Sequence, residues 1–108
     1  MDGQVLIFPR ANDVQVKAQF PQIPDGTGMS AKFYYKDNRY TLDADITTHT
    51  YTSTIVADPS SPGATMSTFS IPGTDNGVTG AFWWRIDVID AGGKVRTASA
   101  GTLLVEAA

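Results

Sequence analysis

The chain has 108 residues, a net charge of −3 and no cysteine. That length fits one domain, 1–108, able to bury roughly two thirds of its unfolded surface around a single core. The lack of thiols excludes disulfides, thiolate zinc sites and a cysteine nucleophile. The eight basic residues are scattered and form no nucleic-acid patch.

No apolar run approaches the ~20 residues of a membrane span. The start, Met1-Asp-Gly-Gln-Val5, lacks the basic and apolar regions of a secretory signal. A soluble protein made in a cytoplasm is expected. Thirteen Thr, eight Val and seven Ile stand against four Leu. β-branched side chains are stiff at χ1 and suit a pleated surface. No ten-residue stretch shows a 3.6-residue apolar period, so an all-β chain is expected.

Gln4–Phe8 is a short apolar strand stopped by Pro9, either buried or at a sheet edge. After a turn at Arg10–Asn12, Asp13–Phe20 alternates, with Val14, Val16, Ala18 and Phe20 inward. Pro21–Gly28 holds two prolines and two glycines and is a loop. Ala31–Lys36 is a strand with Ala31, Phe33 and Tyr35 on one face and Lys32, Tyr34 and Lys36 on the other. Asp37-Asn38 makes a turn, and Arg39–Leu42 is read as a short return strand.

Thr50–Ala57 reads as one strand whose faces are poorly distinguished, so its register stays open. Ala64–Ile71 is a strand with Phe69 and Ile71 inward, and Pro72–Gly80 is a polar loop with one short helical turn. In Ala81–Asp90, Phe82, Trp84, Ile86 and Val88 alternate with Trp83, Arg85, Asp87 and Ile89. The first set lines the core, and the half-polar second set meets water or a partner. Asp90–Gly93 is a tight turn. A return strand follows from Lys94 to Glu106, with a bulge or bend expected at Gly101. Seven or eight strands at intervals of roughly 8 to 15 residues argue for a single antiparallel β-sandwich with immunoglobulin-like packing. A small closed barrel is the alternative.

Catalytic chemistry is hard to build from these residues. His49 is the lone histidine, no G-x-S-x-G elbow is present, and no serine has another base to activate it. No enzyme activity, cofactor or resident metal is expected. Asp43 and Asp45, with Asp37 nearby, offer oxygen ligands for weak Ca²⁺ binding, against the simpler reading of a solvated acidic loop. Trp83, Tyr34, Tyr40 and Tyr51 are read as aromatics outside the core, a residue class enriched where surfaces meet partners. Arg85 and Lys32 are the cations placed to stack on Trp83. Carbohydrate binding on such a face is a minor alternative.

Three pieces carry a family likeness. They are Val5-Leu-Ile-Phe-Pro-Arg-Ala-Asn-Asp-Val-Gln-Val16, Ala31-Lys-Phe-Tyr-Tyr35, and Thr79–Asp90 with Gly101-Thr-Leu-Leu-Val105. The whole chain resembles the small immunoglobulin-like β-sandwich proteins of long-tailed siphoviruses of the actinobacteriophage type, which occur as minor tail, upper-baseplate or tail-fibre-associated proteins. The resemblance implies a non-enzymatic virion component, assembled in the host cytoplasm into a tail. Its partners would be copies of itself and other tail or baseplate proteins, with no nucleic acid or membrane. A head decoration or connector protein, or a carbohydrate- or receptor-binding module, is the alternative. The residues expected at a subunit contact are Trp83, Arg85, Ile89 and Tyr34 on the outer sheet face, with Val5 and Ile7 on the edge strand.

Overall fold

The structure, a computed structural model, describes residues 4–107. Eight strands form: β1 (Gln4–Pro9), β2 (Val14–Phe20), β3 (Ser30–Lys36), β4 (His49–Thr54), β5 (Val56–Ala57), β6 (Thr65–Ile71), β7 (Gly80–Ile89) and β8 (Val95–Glu106). One 3-10 turn, Gly73–Asp75, lies between β6 and β7. The strands make two sheets, ordered β1-β8-β7-β3-β4 and β2-β6-β5. The chain changes sheet after β1, β2, β4 and β6, which gives an immunoglobulin-like sandwich. One pairing departs from an antiparallel sandwich: β1 runs parallel to β8. No hairpin joins these two strands, so nothing in the connection forces them to oppose.

Alternation builds the core. Phe33, Trp84, Ile86, Val88, Leu103 and Val105 from the larger sheet meet Val16, Phe20, Phe69 and Ile71 from the smaller one. Val14 and Phe82 are half-buried against this cluster. Trp84 is its largest ring, 1% exposed, stacked on Phe33 at 6.1 Å, with its indole N–H donating to the Thr102 carbonyl at 3.1 Å. Leaving that N–H unbonded in an apolar interior would be costly, so the bond also fixes the ring's orientation.

Three local expectations are corrected. Arg39–Leu42 forms no strand. Asn38 Oδ1 accepts the Tyr40 N–H at 2.9 Å, and the Lys36 ammonium donates to the Thr41 carbonyl at 2.7 Å. These bonds take backbone groups that a ladder would need. Thr50–Ala57 is not one strand either. Its partnership changes at Ile55, which is buried between the sheets. The residues before it pair with β3, and those after it pair with β6. The bulge is not at Gly101, which pairs in register with both Gln4 and Trp84. It lies where Ile86 pairs with Ser99 but Asp87 with Thr97, making Ala98 the extra residue. Ala98 has only a methyl side chain, which packs half-buried against the core.

The turn from Arg10 to Asp13 clasps the β6–β7 loop across the sandwich. Ala11 N–H donates to the Asn76 carbonyl (3.2 Å), Asn76 Nδ2 to the Asn12 carbonyl (2.9 Å) and Gly73 N–H to Asp13 Oδ1 (2.8 Å). The approach is close enough that a Cβ on Gly73 would lie 2.5 Å from the Ala11 carbonyl oxygen. The β7–β8 hairpin closes as the Asp-Ala-Gly-Gly sequence demands. Gly93 takes φ +86°, and Asp90 Oδ1 accepts the N–H groups of Gly92 and Lys94.

Candidate subunit interface

In a strand, neighbours across a ladder share a face, so the registers define the outer face of the larger sheet. One row runs Val5, Thr102, Trp83, Lys36, and the next runs Ile7, Leu104, Ala81. Further along, Ala100, Arg85, Tyr34 and Thr50 form another row. Ile89 lies at the far end of β7, between Val95 and Ser30. All six expected contact residues therefore share one face, but they form separate groups.

The centre of that face is already occupied by the chain itself. The Arg85 guanidinium lies 4.2 Å from the Tyr34 ring centroid. Its Nε donates to Asp87 Oδ1 at 2.9 Å, and its NH2 group donates to Asp43 Oδ2 at 2.7 Å. Lys36 donates to Asp43 Oδ1 at 2.6 Å and lies 5.5 Å from the Trp83 ring. Thr97 Oγ1 donates to Asp87 Oδ1 at 3.0 Å. The β3–β4 loop is thus strapped onto the sheet by a chain of charge-assisted bonds from Lys36 to Thr97. The hydrogen bond from Arg85, more than any other contact, holds the Asp43 carboxyl below the usual carboxylate range.

This arrangement corrects several residue readings. Lys36, not Lys32, is the cation on Trp83, because the ladder pairs Lys36 with Trp83 and Lys32 with Asp87. Asp87 does not meet water: it is buried beneath Arg85 and Thr97. Tyr51 is not an outer aromatic. Its register with Phe33 turns it inward, and its hydroxyl donates to Asp75 Oδ2 at 2.6 Å. Tyr40 projects from the β3–β4 loop, with the Arg39 guanidinium 5.4 Å from its ring. Arg85 and Tyr34 are consumed by contacts within the chain.

Apolar side chains face water at both ends of this face: Val95 beside Ile89 at one end, and a strip toward β1 at the other. Val5 is 52% exposed and Ile7 59%, beside half-buried Trp83 and Leu104. Leu104 and Ala81 were missed in the sequence reading. The signal was the Leu103-Leu104 pair, since adjacent strand residues cannot both face the core.

The acidic loop uses its oxygens on protein groups. Asp43 is bonded to two cations, and Asp45 Oδ1 accepts the N–H and hydroxyl of Thr47. Among the described residues no group of three His, Cys, Asp or Glu is placed to hold a metal ion. His49 Nδ1 lies 3.9 Å from Asp75 Oδ2 and its ring 5.2 Å from that of Tyr35, with no hydroxyl hydrogen-bonded to it among the described residues. A cleft of about 880 Å³ opens between the sheets beside β2, walled by Val16, Phe20, Met66, Trp84 and Ala98. No described helix is long and apolar enough to cross a membrane.

Neither a comparison with models of known protein families nor one with curated proteins finds a match for this chain.

Proposed function

We propose that the protein is a non-enzymatic structural component of a phage tail, a minor tail or baseplate protein held in place by contacts with copies of itself and with neighbouring tail proteins. The observation that carries this reading is the exposed strip of Val5 and Ile7, beside Trp83 and Leu104, on a sheet face whose centre is locked by the Lys36–Asp43–Arg85–Asp87 chain. A rigid sheet with an apolar margin suits repeated packing better than a site that must open and close. The likeness of the Thr79–Asp90 strand and the closing Gly101–Val105 segment to tail-protein hairpins supports the same reading.

Cryo-electron microscopy of intact particles tests it. The expected map shows the sandwich at the tail tip or baseplate with the Trp83 side of its sheet against another subunit. Particles whose tails lack the protein would overturn the reading, and density on the capsid alone would replace it with a head decoration role.

A further inference from the structure

We infer that β1 is a self-pairing edge: two copies join antiparallel, about a two-fold axis through Leu6, into one continuous sheet.

The backbone geometry leads there. Arg10 N–H donates to the Glu106 carbonyl at 2.7 Å, so Arg10 points its backbone groups toward β8. These directions alternate along a strand, so Phe8 and Leu6 also face β8, while Val5 and Ile7 direct their N–H and C=O groups to the open edge. The same two residues carry the exposed apolar side chains. Directly opposed residues must share a face, so the sum of paired residue numbers must be even. The register that pairs Val5 with Ile7 of the copy also pairs Leu6 with Leu6 and Gln4 with Phe8, and it keeps Pro9 out of the ladder. Every free N–H and C=O of Val5 and Ile7 then finds a complementary group, in four symmetric hydrogen bonds. The exposed Val5 and Ile7 side chains meet across the seam.

The other edges fit less well. β2 presents exposed Lys17, a charge that discourages pairing, and β5 has two residues. β4 alternates exposed Thr50, Thr52 and Thr54 with half-buried residues, leaving no apolar side chain to cover outside the sheet. β1 carries no charged side chain between Gln4 and Pro9. Five paired residues a side bury well under the roughly 1,600 Å² of a standard interface. The pairing is therefore reversible and dependent on concentration, which suits copies held close in a particle. The inference deepens the structural reading above by naming one partner, a second copy.

The purified chain is tested by sedimentation equilibrium up to millimolar concentration, together with single-cysteine variants, which the cysteine-free sequence permits. A reversible dimer is expected. Ile7→Lys weakens it at least about tenfold, as does Ile7→Pro, which deletes an edge donor. Both variants should keep the far-ultraviolet spectrum of the parent. Under mild oxidation Leu6→Cys should give a disulfide-linked dimer, because a non-hydrogen-bonded pair brings Cα atoms to about 4.5 Å. Val5→Cys and Ile7→Cys should not. A strict monomer at millimolar concentration, a dimer indifferent to both Ile7 variants, or cross-linking at Ile7 rather than Leu6 overturns the inference. The tail assignment would survive such a result if the protein is found in the tail with other contacts, and its own failure is read from particle composition instead.

Discussion

The ammonium of Lys36 lies 2.6 Å from the Asp43 carboxylate, and the lysine, only 3% exposed, is covered by Trp83 and the loop it anchors. A buried cation needs a partner far more than an exposed one does. This pair therefore decides where the twelve residues between β3 and β4 lie.

Asp43→Ala leaves Lys36 with the Thr41 carbonyl alone and removes the Arg85 contact. The expected loss is about 2 kcal/mol in denaturant unfolding. The Asp43 carboxyl is held low by Arg85, so its contribution is present above the unfolded value near ~3.9 and is lost as pH falls through the folded one. The acid limb of the stability curve should be shallower in Asp43→Asn than in the parent.

The two tryptophans should separate in stability. Trp84→Ala empties a buried site and removes the indole hydrogen bond to the Thr102 carbonyl, costing about 4 kcal/mol. Trp83→Ala removes a half-buried ring above Lys36 and should cost about 1 kcal/mol. Equal losses in urea melts would contradict the assigned faces.

Gly73→Ala places a methyl 2.5 Å from a backbone oxygen that is itself held in the Arg10–Asp13 turn. The expected cost is about 2 kcal/mol. Amide exchange should speed up first at Ala11 and Asn76 rather than in the β7–β8 hairpin.

At high pH the buried phenols matter. Burial raises the Tyr35 hydroxyl to about 12, and burial with the Asp75 bond raises Tyr51 further. A raised folded value gives stability that is complete below the unfolded value, near ~10, and lost as pH rises through the folded one. Stability should therefore decline from about pH 10 upward. Asp75→Asn removes a charge that opposes the phenolate, so Tyr51 should ionise at lower pH in a tyrosinate absorbance titration.

Much of the fold was legible along the chain. Val14 to Phe20 and Phe82 to Val88 alternate so cleanly that inner and outer faces follow from periodicity alone. Thr50–Ala57 was not legible in the same way. Its Thr and Ser residues mark no face, and only the neighbouring strands decide that the chain changes sheet at Ile55. The contact face was half legible. Trp83 and Arg85 point outward as their spacing implies, but spacing cannot say that Arg85 is already held by Asp43, forty-two residues away.

What the sequence determined by itself is therefore local: β-branched composition, strand alternation, and turns where Gly and Pro interrupt. These follow from backbone sterics and side-chain period, which neighbouring residues carry. Tertiary structure alone decided the rest: the parallel seat of β1 on β8, the burial of Lys36 and Asp87, and the exposure of Val5 and Ile7. Each depends on which strands become neighbours. That pairing is chosen by the burial of the whole core, and no single segment encodes it.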